Sequence, residues 1–185
     1  MIHHRPQAFD DRVFRPSYLI SSRAVDGSMV LSVNLRPEEG NAGSRENSAP
    51  NVFIRIDNAG RVVVIMPRLK MAQGASVRGL IADELEVALG QIDLEYAPPT
   101  GHSNAVRGTL KLLAKASATA RVMLVAAAAR RWGVDARSCD AYEGEVVHAP
   151  TWRKLNYGEL AIDAAYMPVP KEITLKEPWV AGARI

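Results

Sequence analysis

Apolar residues recur along the chain in two periods, and the switches between them mark the elements. Val52-Phe-Ile-Arg-Ile56 and Arg61-Val-Val-Val-Ile-Met66 are short β-rich runs on either side of Asp57-Asn-Ala-Gly60. Such runs around a turn-forming tetrad predict a hairpin. Pro67 lacks the N–H that another ladder bond would need, so the chain leaves the sheet there. From Ser76 the spacing becomes helical, with Val77, Leu80, Ile81, Leu85 and Val87 to Leu89 recurring and Gly90 as the stop. Gln91 to Ala97 reads as a strand closed by Pro98-Pro99. Ala105 to Trp132 is the longest helical candidate: alanine-rich, free of proline, about 40 Å long at 1.5 Å per residue, with Gly133 placed to cap it.

Further along, Ser138 to Tyr142 and Glu145 to His148 pair around Glu143-Gly144 as a second hairpin. Tyr157 to Tyr166 is a short amphipathic helix stopped by Pro168 and Pro170, and the tail to Ile185 is extended. Before Asn51 only Met29 to Leu35 alternates as a strand would, at most an edge strand, and Arg36 to Pro50 is a polar stretch. These patterns divide the chain into a poorly ordered leader (1–50), an α/β domain fragment (51–176) and a tail (177–185). The expected fold class is α/β (α+β): a mixed sheet with hairpins and packed helices, one of them long and alanine-rich.

Composition narrows the function classes. At 185 residues and 48% hydrophobic, the chain has the material for one domain burying roughly 70% of its unfolded surface, so folding alone demands neither metal nor disulfide. A net charge of +3 with acids and bases interspersed gives no basic stripe, which argues against nucleic acid as a partner. The apolar run Val122 to Ala129 is short and ends in Arg130-Arg131, so no membrane span is expected; Met1 to Arg15 lacks a secretory pattern, which makes the cytoplasm the expected location. Cys139 is the sole cysteine, so no disulfide or thiolate cluster forms within the chain, and with no histidine near it in sequence it reads as an inert small residue. Asp83, Glu84, Glu86 and Glu95 read as a solvated helix face and strand, and no catalytic residue or metal ligand is assigned.

Two loops carry the remaining chemistry. Met71-Ala-Gln-Gly precedes a helix, and there Gln73 offers an amide that both donates and accepts, while Gly74 lies where helix N–H groups favour an anion. Thr100-Gly-His-Ser-Asn follows the next strand, again with a glycine that lets backbone approach a ligand.

In order, Asn51-Val-Phe-Ile-Arg-Ile-Asp, Met71-Ala-Gln-Gly, Thr100-Gly-His-Ser and the alanine-rich run through Arg130-Arg131-Trp132-Gly133-Val134 resemble the N-terminal part of the large (beta) subunit of the isoquinoline 1-oxidoreductase and aldehyde dehydrogenase type, in the molybdenum hydroxylase superfamily. The resemblance spans roughly residues 51–176. Ala72 stands where that family has glycine, and His102, Asn104 and Ala105 depart from its Thr-Gly-Gly-Ser-Thr-Ser-x-Arg loop, of which Thr100, Gly101, Ser103 and Arg107 remain. It implies a truncated part of a molybdopterin-binding domain, with Gln73, Gly74, Thr100, Gly101 and Ser103 as contacts for molybdopterin cytosine dinucleotide carrying molybdenum. It also implies two partners, the remaining part of the large subunit and a small iron-sulfur subunit. The family's terminal glutamate base lies in that remaining part, so an oxidoreductase fragment inactive alone is expected. The alternative is a non-catalytic binding or interaction module that kept the scaffold.

Overall fold

The structure, a computed structural model, describes residues 18–35, 52–67, 74–97 and 106–176. It is a mixed α/β fold. The main sheet has five strands in the order β1 (Tyr18–Val25), β2 (Ser28–Leu35), β3 (Val52–Ile56), β4 (Val62–Pro67) and β5 (Ile92–Ala97). The first four form an antiparallel meander; β5 joins β4 in parallel. That parallel step needs a crossover, which α1 (Gly74–Leu85) provides.

Residues 18–35 fall in the stretch the sequence pattern gave to a leader, yet they form the first hairpin of this sheet. Asp26 and Gly27 at its tip have φ of 47° and 77°, the pair of left-handed residues that a two-residue turn matched to strand twist requires. Ser22 on β1 donates to the carbonyl of Ala165 at 3.2 Å, fastening the hairpin to the helical layer. Met29 to Leu35 is therefore an inner strand with β1 outside it.

The helices lie on one face of the sheet. Met29, Leu31, Ile54, Ile56, Val64 and Met66 point toward them and are buried, and Leu80, Ile81, Leu113, Leu124 and Leu160 close the core from the helical side. The long helix α2 (Val106–Trp132) packs against α1 and against α3 (Tyr157–Ala165). Its carboxyl end is closed by Gly133 at φ 67°, with Val134 N donating to Ala129 O at 3.0 Å, as the sequence foretold. Contrary to the expectation of no spanning segment, Leu110–Trp132 is long and apolar enough to cross a bilayer by length and composition; however, 72% of its most apolar window is buried inside the fold, as in a core helix.

Against α2 lies a second, three-stranded antiparallel sheet, β6 (Cys139–Tyr142), β7 (Glu145–His148) and β8 (Arg153–Asn156). The hairpin around Glu143-Gly144 was legible; β8 was not, because Arg-Lys-Leu-Asn carries a single apolar residue. Asn156 and Glu159 cap α3 reciprocally, each side chain accepting the other's backbone N–H at 2.9 Å.

Candidate functional site

In open α/β sheets ligands gather outside the carboxyl ends of the strands. Here β4 and β5 run parallel in register, with Pro67 opposite Ala97 at that end. The segments 68–73 and 98–105 thus begin on neighbouring strands, about 4.8 Å apart, and lead to the amino ends of α1 and α2, two helices packed on each other. Neither helix has an acidic residue in its own first turn, so neither helix offsets the positive end of its dipole from within. This is the electrostatic setting that a phosphate-bearing ligand needs.

Among the candidate contacts, Gly74 is the first residue of α1. Gln73, Thr100, Gly101 and Ser103 lie outside the described residues, as do Ala72, His102, Asn104 and Ala105. Nothing in the described part of this edge conflicts with a large anionic cofactor: the two helix starts are non-acidic and glycine leads one of them.

The opposite edge of the sheet is a structural knot that sequence reasoning missed. The helix expected to run to Leu89 ends at Leu85, because Glu86 turns into the left-handed region at φ 58° and Val87 N returns to Ala82 O at 3.2 Å. Glu86 holds that conformation through its carbonyl, which accepts Gly144 N at 2.7 Å, and through its carboxylate, which pairs with Lys176. Gly144 O in turn accepts Tyr157 N at 2.9 Å, and the buried Tyr157 hydroxyl donates to Leu85 O at 2.7 Å. Gly158 lies so close to Asn58 and Gly60 of the β3–β4 turn that a side-chain carbon there would collide with their backbone. The adjacency of Tyr157-Gly158 to a capped helix start was the only signal, and it does not specify a distant partner.

Glu84 departs from the solvated face read for it. It is 3% exposed, its carboxylate accepts Lys176 N at 3.3 Å, and its carbonyl accepts Arg121 Nε at 2.7 Å. Burial pushes the carboxyl above its ordinary range, against the opposing pull of the Lys176 N–H and of the Arg121 and Lys176 charges, with Asp83 adding to the rise. It sits one turn or less from the far end of α1, about 15 Å along the helix from Gly74, so it braces the residues around Lys176 and does not face the strand-end crevice. A raised native value means that the native state holds the proton more tightly than the unfolded chain. The stability attached to protonated Glu84 is therefore present below about pH 4.5 and is lost as pH rises through the raised value. Glu84→Gln keeps an acceptor for Lys176 without the buried charge. Its melting temperature is expected to exceed the parent's by a few degrees at pH 7, with the gap closing toward pH 4.5, as read by calorimetry across pH.

Cys139 is buried, and its register partner on β7 is His148, a neighbour that sequence distance concealed. The pair is not an activated nucleophile: burial pushes the thiol up, the sulfur lies 3.9 Å from the Asp135 carbonyl, and His148 Nδ1 is taken by Thr151 Oγ1 at 2.7 Å. Among the described residues no three histidine, cysteine, aspartate or glutamate side chains are grouped to hold a metal.

The described part of this strand end thus consists of the matched ends of β4 and β5 and the starts of α1 and α2. A protein of Brevundimonas diminuta, isoquinoline 1-oxidoreductase subunit beta, is 30% identical over 173 residues, in a match covering 80% of this chain. The chain belongs to the molybdenum hydroxylase family. It spans 22% of that relative's length. Quinoline 2-oxidoreductase from Pseudomonas putida 86 has the same fold over 82% of this chain and 21% of its own, with a TM-score of 0.51 at 16% identity. No family model matches the chain.

Proposed function

We propose that the chain forms one wall of the cofactor site in a molybdenum-hydroxylase-type oxidoreductase subunit, acting on an aromatic N-heterocycle as the name of the Brevundimonas relative suggests. The observation that carries this reading is the pair of loops leaving the matched ends of β4 and β5 toward two helix starts free of acid. Gln73 would pair with an amide-like edge of molybdopterin cytosine dinucleotide through its donor and acceptor atoms. Gly74 admits the close approach of a phosphate to the first N–H groups of α1. Thr100, Gly101 and Ser103 would offer hydroxyl and backbone donors from the second loop. When bound, the cofactor supplies the two-electron redox chemistry; the base and the electron carriers come from the remaining part of the subunit and from a small iron-sulfur partner.

Gln73→Ala is the direct test in the assembled protein. Losing a paired donor and acceptor is expected to weaken molybdenum retention about tenfold, measured by metal analysis after dialysis. A second reading, a scaffold that has given up the cofactor, is favoured by His102 and Ala105, which bring bulk and remove a hydroxyl in the second loop. Under it, Gln73→Ala leaves metal content unchanged.

A further inference from the structure

After α3 the chain runs without regular structure through residues 167–176 and returns to the far end of α1. Met167 is buried, and Val169 and Leu175 pack against the core cluster, while Pro168, Lys171, Glu172 and Thr174 are exposed. Among the described residues, those from 168 to 175 make no hydrogen bond. The polar fastenings stand at the two ends. Met167 N donates to Ala164 O at 3.0 Å, Lys176 N donates to the Glu84 carboxylate at 3.3 Å, and the Lys176 ammonium pairs with Glu86. A segment held by a few apolar contacts and one terminal residue belongs to the part of a fold that opens locally, at a free energy below that of global unfolding.

What this segment covers is a carboxyl group. Glu84 is 3% exposed, in the last turn of α1. The titratable groups around it are Asp83 and Glu86 on α1, Arg121 on α2, Lys176 on the segment, and the Tyr157 hydroxyl of α3, bonded to the neighbouring Leu85 O. Neither cation is spare: Arg121 Nε donates to the Glu84 carbonyl, and the Lys176 ammonium is paired with Glu86. A charged Glu84 is therefore left with one long amide bond in a place shut away from water, which disfavours the charge and not the neutral acid. We propose that residues 167–176 form a latch across the last turn of α1, shut when the Glu84 carboxyl is neutral and released when it is charged. Lifting the latch returns water to the carboxylate, so the open form holds the proton less tightly than the shut form. Burial raises the shut form's value above the ordinary 4.5, so closure is firmest below about pH 4.5 and weakens as pH rises through the raised value. The latch lies at the opposite end of α1 from Gly74, so it stands independently of any ligand at the strand ends.

Amide hydrogen exchange of the full chain, followed by NMR from about pH 4.5 to 8 and read as protection relative to an unstructured chain, tests this. Glu84→Gln keeps an acceptor for Lys176 N and never carries the charge. Over that range, protection of the Lys176 amide is expected to fall at least about threefold more in the parent than in Glu84→Gln, the two proteins agreeing at the acid end. The Glu86–Lys176 pair is common to both and cancels in the comparison. Ile54, on an inner strand and buried, reports global unfolding and verifies that the variant is folded. Lys176 is expected to be protected at least about tenfold less than Ile54 in the parent, as local opening requires. Exchange of Lys176 in step with Ile54, or the same pH dependence of Lys176 in both proteins, overturns the proposal.

Discussion

Replacing Gly158 with alanine is expected to destabilise the chain by about 3 kcal/mol or more, although helix propensity alone argues the other way. In the first turn of α3, alanine would be favoured over glycine by up to about 1 kcal/mol. The added methyl, however, would run into the carbonyl oxygen of Asn58, with the Asn58 carbonyl carbon at 2.5 Å and the Gly60 nitrogen at 2.7 Å. These are backbone atoms of a turn already fixed by its own bonds. Asp57 Oδ1 accepts both Ala59 N and Arg61 N at 2.9 Å, and Gly60 N donates to Asp57 O at 3.0 Å. Relief therefore requires moving α3 or the β3–β4 turn, and the main sheet separates from the helix that anchors the small one. For a chain of this length the cost is a fall of roughly 10 °C in melting temperature. Gly79→Ala is the control: it lies inside α1, a methyl there meets nothing within 4 Å, and the substitution is expected to raise stability by up to about 1 kcal/mol. Equal effects at both sites would show that the contact at Gly158 does not govern stability.

Tyr157→Phe is expected to cost about 1–3 kcal/mol while leaving the fold intact. The ring volume is kept, so the loss isolates one hydroxyl. It donates at 2.7 Å to Leu85 O, a carbonyl in the last turn of α1 that has no further helical N–H to accept, and both groups are shut away from water. Urea unfolding should show a lower midpoint with an unchanged slope. A pH signature accompanies it. Burial holds the Tyr157 phenol above its ordinary value of 10, against the weaker pull of Arg121, so the native state keeps a proton that the unfolded chain releases. The stability linked to this group is complete below about pH 10 and declines as pH climbs past it. In Tyr157→Phe that alkaline decline should be shallower than in the parent; an identical decline would mean that other groups control it.

Local pattern revealed the elements wherever one period ran long enough. The β3–β4 hairpin, α2 with its Gly133 cap, the β6–β7 hairpin and α3 all stand where turn residues and apolar spacing agree. The β1–β2 hairpin carried the same kind of signal, Asp26-Gly27, but its flanks mix serine, arginine and alanine because only one face of those strands is buried. Its membership in the sheet is decided by pairing with β3, far along the chain, which no local window contains. Glu84 illustrates the other limit: an acid on an amphipathic helix is ordinarily solvated, and only the approach of residues around Lys176 buries it. For the candidate site, motif spacing named the loops, while the feature that makes them neighbours, the parallel pairing of β4 with β5, is a tertiary fact.

The central claim, that this chain contributes to a molybdenum cofactor site, is tested most directly by co-expressing it with the C-terminal portion of a related large subunit and measuring bound molybdenum in the purified complex. A stable complex holding molybdenum near one atom per chain, reduced by Gln73→Ala and unaffected by Gly79→Ala, is the expected result. Failure of the two parts to associate, or a complex without molybdenum from cells that load the intact relative, would contradict it.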